Sequence, residues 1–307
     1  MAFTALDVKK LREMTNVGMM DCKKALQATD GDMDAAVDWL REKGLAKAAK
    51  KADRVAAEGV AYAAVVNGIG VVIEVNSETD FVAKNELFRE FVKNLLKTII
   101  ANKPADVEAL MSCKYAGEDC TVDEKLKEMI FKIGEKLSIR RFAVTEGITS
   151  TYIHGIGSIG VIVRFDTDVA DKEGFAQFAK NIALQVGAYT TPYINRDQVP
   201  ASVLEAETAI VRAQIENDPA LSKKPDAIKE KMAVGRLNKF YENNCLLDME
   251  YFLEDSMKVG QYIEKTAKEL GGKIVVAEMY RFEKGEGIQK KEEDFAAEIE
   301  KLAGGNK

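Results

Sequence analysis

Residues that commonly bind metals or form redox pairs are scarce in this sequence. It contains one histidine, His154, and four cysteines, and no two cysteines form a Cys-x-x-Cys pair. Structural zinc sites take several Cys or His ligands at close spacing, and small disulfide-bonded domains are far richer in cysteine. The sequence therefore predicts a reduced protein with neither a metal site nor a disulfide framework.

Long apolar runs and an excess of positive charge are missing as well. No stretch reaches the ~18 apolar residues of a membrane span, and residues 1–11 lack the apolar segment of a signal peptide. Lys and Arg number 44 against 50 Asp and Glu, a net charge of -6, whereas proteins that bind nucleic acid usually carry a positive field. We expect a cytoplasmic protein with no direct contact to membrane or nucleic acid.

Motifs for catalysis or nucleotide binding are absent or misplaced. Residues 155–160 spell G-x-G-x-x-G, but these glycines precede an apolar strand pattern instead of following one, which predicts a hairpin turn. His154 has only Tyr152, a poor orienting partner, beside it. Glu78 and Asp80 could pair as acid and base, but no second catalytic cluster accompanies them. We therefore expect no enzyme, no catalytic residue and no cofactor.

The chain does contain short amphipathic patterns, and the first of them lie at the N terminus. Three such patterns, the last ending before Gly44, predict three short helices. We assign them to a three-helix module at residues 1–45, of a size that commonly docks onto another surface. Residues 46–57, rich in Ala, Lys and Arg, are predicted to form a linker.

An internal repeat organises the middle of the chain. The segment from Asn67 can be laid over the segment from His154, because each contains Gly-Ile-Gly, an apolar strand, Thr-Asp and a helix pattern. We predict two related α+β halves, each a small antiparallel sheet with helices on one side: core half N at 58–141 and core half C at 142–195 and 242–283. The matched positions are Thr79 and Asp80 with Thr167 and Asp168, Phe88 with Phe175, and Phe91 with Phe178.

Two further helical segments complete the predicted α+β fold. Apolar residues at three- and four-residue spacing after Pro200 and after Asp226, separated by a polar break, predict an antiparallel coiled-coil hairpin inserted at 196–241. Residues 284–307 are predicted to form a C-terminal helical module. Its apolar face would consist of Phe295, Ile299 and Leu302.

Phe81 is the position that this organisation does not explain. In the alignment of the two halves it is one extra residue after Asp80, so the sister half is built without it. The ring could pack back onto its own helix as a hydrophobic staple. Alternatively, an aromatic ring on an anchored turn could be a hot spot that enters a partner's pocket. The residues by themselves leave both interpretations open.

Several segments of the chain resemble one family. LREMTNVGMMDCKKAL at 11–26 and EVNSETDFVAK at 74–84 are similar to two signatures of bacterial elongation factor Ts. IHGIGSIGVIV, KMAVGRLNKF and GEGIQKKEEDFAAEI resemble further segments of that family in the same order. The resemblance implies a UBA-like N-terminal module, two similar core halves, a coiled-coil hairpin and a C-terminal helix. It also implies a guanine-nucleotide exchange factor that promotes GDP release from elongation factor Tu, so that GTP can bind during translation elongation.

The same resemblance implies roles for individual residues and a partner. The residues matching the segment that disturbs the magnesium and phosphate site of elongation factor Tu are Thr79, Asp80, Phe81 and Val82. Other matched partner contacts are Met19, Met20, Lys23, Ile133, Gly134, His154, Phe252 and Leu253. The hairpin could pair two copies into a homodimer or serve another contact.

Two other functions stay open at this point. A non-catalytic scaffold or chaperone-like binding protein could use the same docking surfaces, but it would bind a GDP-loaded GTPase without accelerating GDP release. A small-molecule enzyme could use Glu78, Asp80 or His154, and it would need a deep pocket between the two halves.

Overall fold

The computed structural model describes residues 3–15 and 17–289, apart from the side chains of residues 45–49. Within these ranges the fold is α+β, because helices are combined with two antiparallel sheets of three strands each. No helix of this part of the chain is long and apolar enough to cross a membrane. The predicted C-terminal helix with Phe295, Ile299 and Leu302 lies outside the described residues.

The two sheets follow one another along the chain. The first has the strand order β1-β2-β3 and the second β4-β5-β6, and all neighbouring strands are antiparallel. The strands are β1 (Glu58–Val66), β2 (Ile69–Ser77), β3 (Leu137–Glu146), β4 (Ile148–His154), β5 (Ile159–Thr167) and β6 (Ile274–Glu283). The helices are α1 (Ala5–Thr15), α2 (Met19–Ala28), α3 (Met33–Lys51), α4 (Asp80–Lys84), α5 (Glu86–Asn102), α6 (Val107–Ser112), α7 (Val122–Ile133), α8 (Phe175–Ala188), α9 (Ala201–Asn217), α10 (Asp226–Asn244) and α11 (Val259–Leu270), with 3₁₀ turns at Arg196–Gln198 and Leu246–Asp248.

The N-terminal helices α1 to α3 form a small bundle with its own buried residues. The prediction that the third helix ends before Gly44 is wrong, because α3 continues to Lys51 and into the predicted linker. Gly44 has no left-handed backbone angle and lies against Phe131 of α7, where an added Cβ would come within 3.3 Å of the ring. The glycine therefore permits close helix packing instead of ending a helix. The buried residues are Val8, Leu11, Val17, Cys22, Ala25, Leu26, Ala36 and Leu40.

The first sheet packs against α4 to α7, and the second packs against α8 and α11. The matched phenylalanines of the repeat are all buried in these two cores. β3 runs on to Glu146, and Phe142 and Val144 still pack against the first core, so the boundary predicted at residue 141 falls inside a strand. The phenylalanines are Phe88 and Phe91 on α5, and Phe175 and Phe178 on α8.

The strand pairings correct the alignment of the two halves. Ser77 pairs with Leu137 in the first sheet as Thr167 pairs with Ile274 in the second, and each central strand has one register shift at the corresponding place. Residue 78 is therefore the counterpart of residue 168, two positions away from the predicted match. The prediction was wrong because Gly-Ile-Gly at 155–157 lies in the turn before β5, and the matching strand begins only after it.

The corrected alignment also enlarges the insertion that contains Phe81. Ten positions separate Glu78 from Phe88 and seven separate Asp168 from Phe175, so the first half is three residues longer, not one. Three residues are nearly one helical turn. The first half has α4 at this place, whereas the second half has turns and no helix before α8.

The turn between β4 and β5 joins the two halves. Gly157 has a left-handed φ of +109°, and an added Cβ would lie 2.9 Å from Val60 Cβ. Its carbonyl accepts the N–H of Ala61 at 2.7 Å. The hairpin turn predicted at 155–160 is confirmed, and only glycine fits there. The residues buried between the sheets are Ala61, Ala63, Val72, Ile162 and Phe282.

α9 and α10 pack against each other as a pair of helices joined by a short turn. α10 begins at Asp226 as predicted, but it ends at Asn244, beyond the predicted end of the insertion at 241. Near the base of the pair, Arg196 Nε and Nη2 donate to Asp248 Oδ1 at 3.0 and 2.6 Å. The residues buried in the contact are Val211, Ile215 and Ala233.

Candidate functional site

α4 presents Phe81 to solvent from a well-anchored position. Phe81 is 76% exposed, whereas the next two residues, Val82 and Ala83, are buried in the first core. The Lys84 ammonium lies 5.8 Å from the centre of the ring and 3.6 Å from the Asp80 carboxylate. A ring this exposed cannot act as a staple, so that interpretation is wrong. The interpretation as a partner-binding aromatic residue remains a hypothesis.

The start of α4 is fixed by a loop that lies much further along the chain. Glu135, between α7 and β3, accepts two hydrogen bonds from Thr79, from its N–H at 2.9 Å and from its hydroxyl at 2.6 Å. The Ser77 hydroxyl donates to the Thr79 carbonyl at 2.9 Å. Because each oxygen of one carboxylate binds the same residue, the direction in which α4 leaves the strand is closely defined.

Glu78 completes this anchor from the opposite side. Its Oε1 accepts the N–H of Lys136 at 2.6 Å, and its Oε2 lies 3.3 Å from Arg54 Nη1. The Lys136 ammonium donates in turn to the Arg54 carbonyl at 2.8 Å. A carboxylate that is already bound to two donors is a poor general base, so the arrangement gives no support to acid–base chemistry by Glu78 with Asp80.

Ile133 and Gly134 are brought beside the start of α4 by these bonds. α7 ends at Ile133, and Gly134 follows it with a left-handed φ of 84°. The Lys51 ammonium donates to the Gly134 carbonyl. The adjacent residue, Glu135, is the one that binds Thr79. Two predicted contact segments that are distant in sequence therefore lie side by side.

The predicted contacts on α2 lie on its solvent face. Met19 and Met20 are 49% and 64% exposed, and Lys23 is exposed as well. The opposite face buries Cys22 and Leu26 in the N-terminal bundle. Flexible methionine side chains beside a lysine form a surface that can adapt to a partner.

His154 is an exposed residue at the end of β4. The Tyr152 hydroxyl lies 2.7 Å from its Nδ1, so Tyr152 orients the ring more directly than the sequence suggested. His154 belongs to the second sheet and Phe81 follows the first, so the predicted contacts are spread over both halves.

Phe252 and Leu253 differ in their exposure. Phe252 is partly buried against the second core, and its N–H donates to Gln185 Oε1 at 3.0 Å. Leu253 is 59% exposed. The backbone of this pair is therefore fixed, and Leu253 has the side chain that is free for a contact. Its role stays a prediction.

A groove of about 750 Å³ lies between the N-terminal bundle and α7. Its walls include Val37 and Phe131. Glu78, Asp80 and His154 do not line it, so it is not the pocket that a small-molecule enzyme would need. Within the described ranges, no three His, Cys, Asp or Glu side chains are grouped closely enough to hold a metal ion.

Sequence reasoning missed Glu74, a buried charge in β2. Its side chain is fully buried and accepts from Arg140 at 2.9 Å, from Arg141 at 2.6 Å and from the Gly285 N–H at 2.8 Å. Burial by itself raises the pKa of Glu74, but these donors, with Asn76, outweigh it and hold that pKa below its usual value. One acidic residue inside an apolar strand and the adjacent arginines of β3 are the signals that could have revealed it.

Comparison with known proteins places these features in one family. The family model described as elongation factor TS matches residues 78–286. Elongation factor Ts of Trichlorobacter lovleyi is 46% identical over 99% of this chain and 99% of its own length. The proteins of the same name from Magnetococcus marinus and Syntrophotalea carbinolica are 44% and 43% identical, over 99% and 97% of this chain and 100% and 98% of their own lengths.

Proposed function

The chain belongs to the elongation factor Ts family. We propose that it lowers the affinity of elongation factor Tu for GDP by inserting Phe81 beside the magnesium site of that protein. Membership makes it a nucleotide exchange factor for elongation factor Tu in translation elongation. The observation that carries the proposed mechanism is a 76% exposed aromatic ring on a turn held at Thr79 by Glu135.

The proposed mechanism needs no catalytic group on this chain. In GTPases a magnesium ion bridges phosphate oxygens of the nucleotide and groups of the protein, and its charge helps to hold the phosphates. A ring that displaces the partner elements around this ion weakens phosphate binding and leaves the guanine base alone. Asp80, next to the ring and 3.6 Å from the Lys84 ammonium, would enter the partner together with it.

One aromatic side chain in a large interface can supply most of the coupling free energy that GDP release requires. Exchange factor and nucleotide must weaken each other's binding by the same factor. A thousandfold loss of GDP affinity corresponds to about 4 kcal/mol, at roughly 1.4 kcal/mol per tenfold change. Buried aromatic hot spots supply about 2–4 kcal/mol, and lost metal contacts add to that.

The remaining predicted contacts hold the two proteins together in this proposal. Such a grip requires an interface spread over several parts of the chain. The exposure of the methionines on α2, and the position of the α7–β3 loop beside α4, support their inclusion. The proposed contacts are Met19, Met20, Lys23, Ile133, Gly134, His154, Phe252 and Leu253.

The domain organisation is part of the same proposal. We assign residues 1–45 to a UBA-like docking module with a linker at 46–57, and 284–307 to a C-terminal helical module. The core halves lie on either side of the insertion at 196–241, which we assign to an antiparallel coiled-coil hairpin. Solvent-exposed Ile210, Ile228 and Val234 on its two helices are consistent with pairing of two copies along it.

Release of a fluorescent GDP analogue from elongation factor Tu tests the site. At saturating exchange factor, Phe81→Ala should slow release by about tenfold to a hundredfold, at roughly 1.4 kcal/mol per tenfold change. Leu87→Ala, which shortens another exposed apolar side chain near α4, serves as a matched control for general loss of contact area. An unchanged saturating rate for Phe81→Ala would refute the proposed mechanism.

A further inference from the structure

The loop before the third strand of each sheet shows a difference that concerns the exposed ring. Because Leu137 and Ile274 are equivalent in the two sheets, Glu135 in the first half corresponds to Gly272 in the second. Each loop also begins with a left-handed glycine after its helix, Gly134 or Gly271. The two loops are therefore the same structural element with one side chain added or removed.

In the second half there is no room for a side chain at this place. A Cβ at Gly272 would lie 2.4 Å from Asp168 Oδ1 and 2.3 Å from Val169 Cγ1. Asp168 accepts the N–H of Lys273 at 2.7 Å, and Val169 is buried in the second core. The chain after β5 therefore turns into its own half.

In the first half, the loop between α7 and β3 binds the turn before α4 through the Glu135 side chain. Glu78, the counterpart of Asp168, accepts the N–H of Lys136 in the same way. Thr79, the counterpart of Val169, does not enter the core; its N–H and hydroxyl both bind the Glu135 carboxylate, at 2.9 and 2.6 Å. The two halves therefore differ at two positions: Glu135 replaces Gly272 in the loop, and Thr79, which Glu135 binds, replaces Val169.

We propose that Glu135 is a positioning residue for nucleotide exchange: by holding Thr79 it fixes the orientation of α4 on the core and directs Phe81 toward the partner. This inference rests on the function proposed for Phe81. Without the carboxylate, the N–H and the hydroxyl of Thr79 lose their acceptor, and α4 is no longer held in this orientation. The Phe81 ring would then still be present, but it would no longer point toward the partner.

The test is GDP release by Glu135→Ala, Glu135→Gln, Phe81→Ala and the double variant Glu135→Ala/Phe81→Ala. Glu135→Ala removes two charge-assisted hydrogen bonds and should lower the saturating rate by roughly tenfold, with a smaller change in the half-saturating concentration. Glu135→Gln should restore most of that rate, because its carbonyl accepts from Thr79 N–H and its amide donates to the hydroxyl. Glu146→Ala, at the far end of β3, is the control and should behave as the unmodified chain.

The double variant separates positioning from general stability. If Glu135 acts through the ring, Glu135→Ala causes no further loss once Phe81 is alanine. An equal loss in both backgrounds, or a normal saturating rate for Glu135→Ala beside a slow Phe81→Ala, overturns the inference and leaves the proposed function intact. A normal rate for Phe81→Ala would instead show that the proposed function itself has failed.

Discussion

The two core halves share one arrangement of strands and helices but differ in the segment that follows the central strand. Both have a central strand with a register shift, a following bend and buried phenylalanines on the next helix. In the second half the bend closes on itself, because Asp168 and Val169 fill the space before β6. In the first half this segment is three residues longer and contains α4, and Glu135 binds Thr79 just before that helix. The segment after the central strand thus packs on its own half in one copy, whereas in the other it leaves the Phe81 ring exposed to solvent.

The same comparison holds for charge. The cross-strand pair Glu74 and Arg141 in the first sheet corresponds to Arg164 and Glu278 in the second, with the signs exchanged. Only Glu74 is fully buried and bonded to the segment after β6 at Gly285. We therefore expect the stability of the first half to depend more strongly on its ion pair than that of the second half.

The largest expected effect comes from a ring inside the sister core. Phe178 is 2% exposed and packs against Phe165, Phe175 and Tyr262. Phe178→Ala should lower the free energy of unfolding by about 3–5 kcal/mol, because it leaves a cavity. Phe81→Ala should change that free energy by less than about 0.5 kcal/mol. Chemical denaturation of both variants measures the difference, and equal losses would remove the distinction between the two rings.

A smaller effect, dependent on pH, is expected at Glu74. Its pKa is lowered in the folded protein, so its stabilisation is present above the unfolded pKa of about 4.3 and is lost as pH falls through the folded value. Glu74→Gln should cost about 2 kcal/mol at pH 7, since both arginines are partly exposed and screened. The variant should also lose less stability than the unmodified protein between pH 5 and pH 3.

Denaturation across this pH range, with Glu146→Gln as an exposed-carboxylate control, measures that contribution. Glu146 forms an ion pair with Lys103 at the surface, and its side chain is 61% exposed. If the unmodified protein and Glu74→Gln lose stability in parallel on acidification, the buried carboxylate does not stabilise the fold as described.

Local patterns in the sequence predicted the elements that depend on neighbouring residues. The hairpin turn at 155–160 and the start of α10 at Asp226 follow from short-range periodicity and glycine placement. The end of α3 could not be predicted, because Gly44 owes its place to Phe131, which lies far along the chain. Glu135 was missed for the same reason.

The alignment of the halves failed for another physical reason. Gly-Ile-Gly at 155–157 lies in a turn, whereas Gly-Ile-Gly at 68–70 leads into a strand. The two segments look alike in sequence, and the pairing of the third strands is what distinguishes them. The exposure of Phe81 likewise depends on what the surrounding core leaves uncovered. The resemblance predicted a partner contact for Phe81, whereas the hydrogen bonds from Thr79 to Glu135 could be found only from the fold.

In the proposed mechanism, Phe81 acts on the magnesium site of elongation factor Tu. The most direct measurement compares saturating GDP release by the unmodified protein and by Phe81→Ala, with magnesium present and after its removal by EDTA. The account predicts a deficit of about tenfold or more with magnesium that shrinks toward equality without it, since the ring then has no metal site to disturb. A deficit of the same size under both conditions would contradict it.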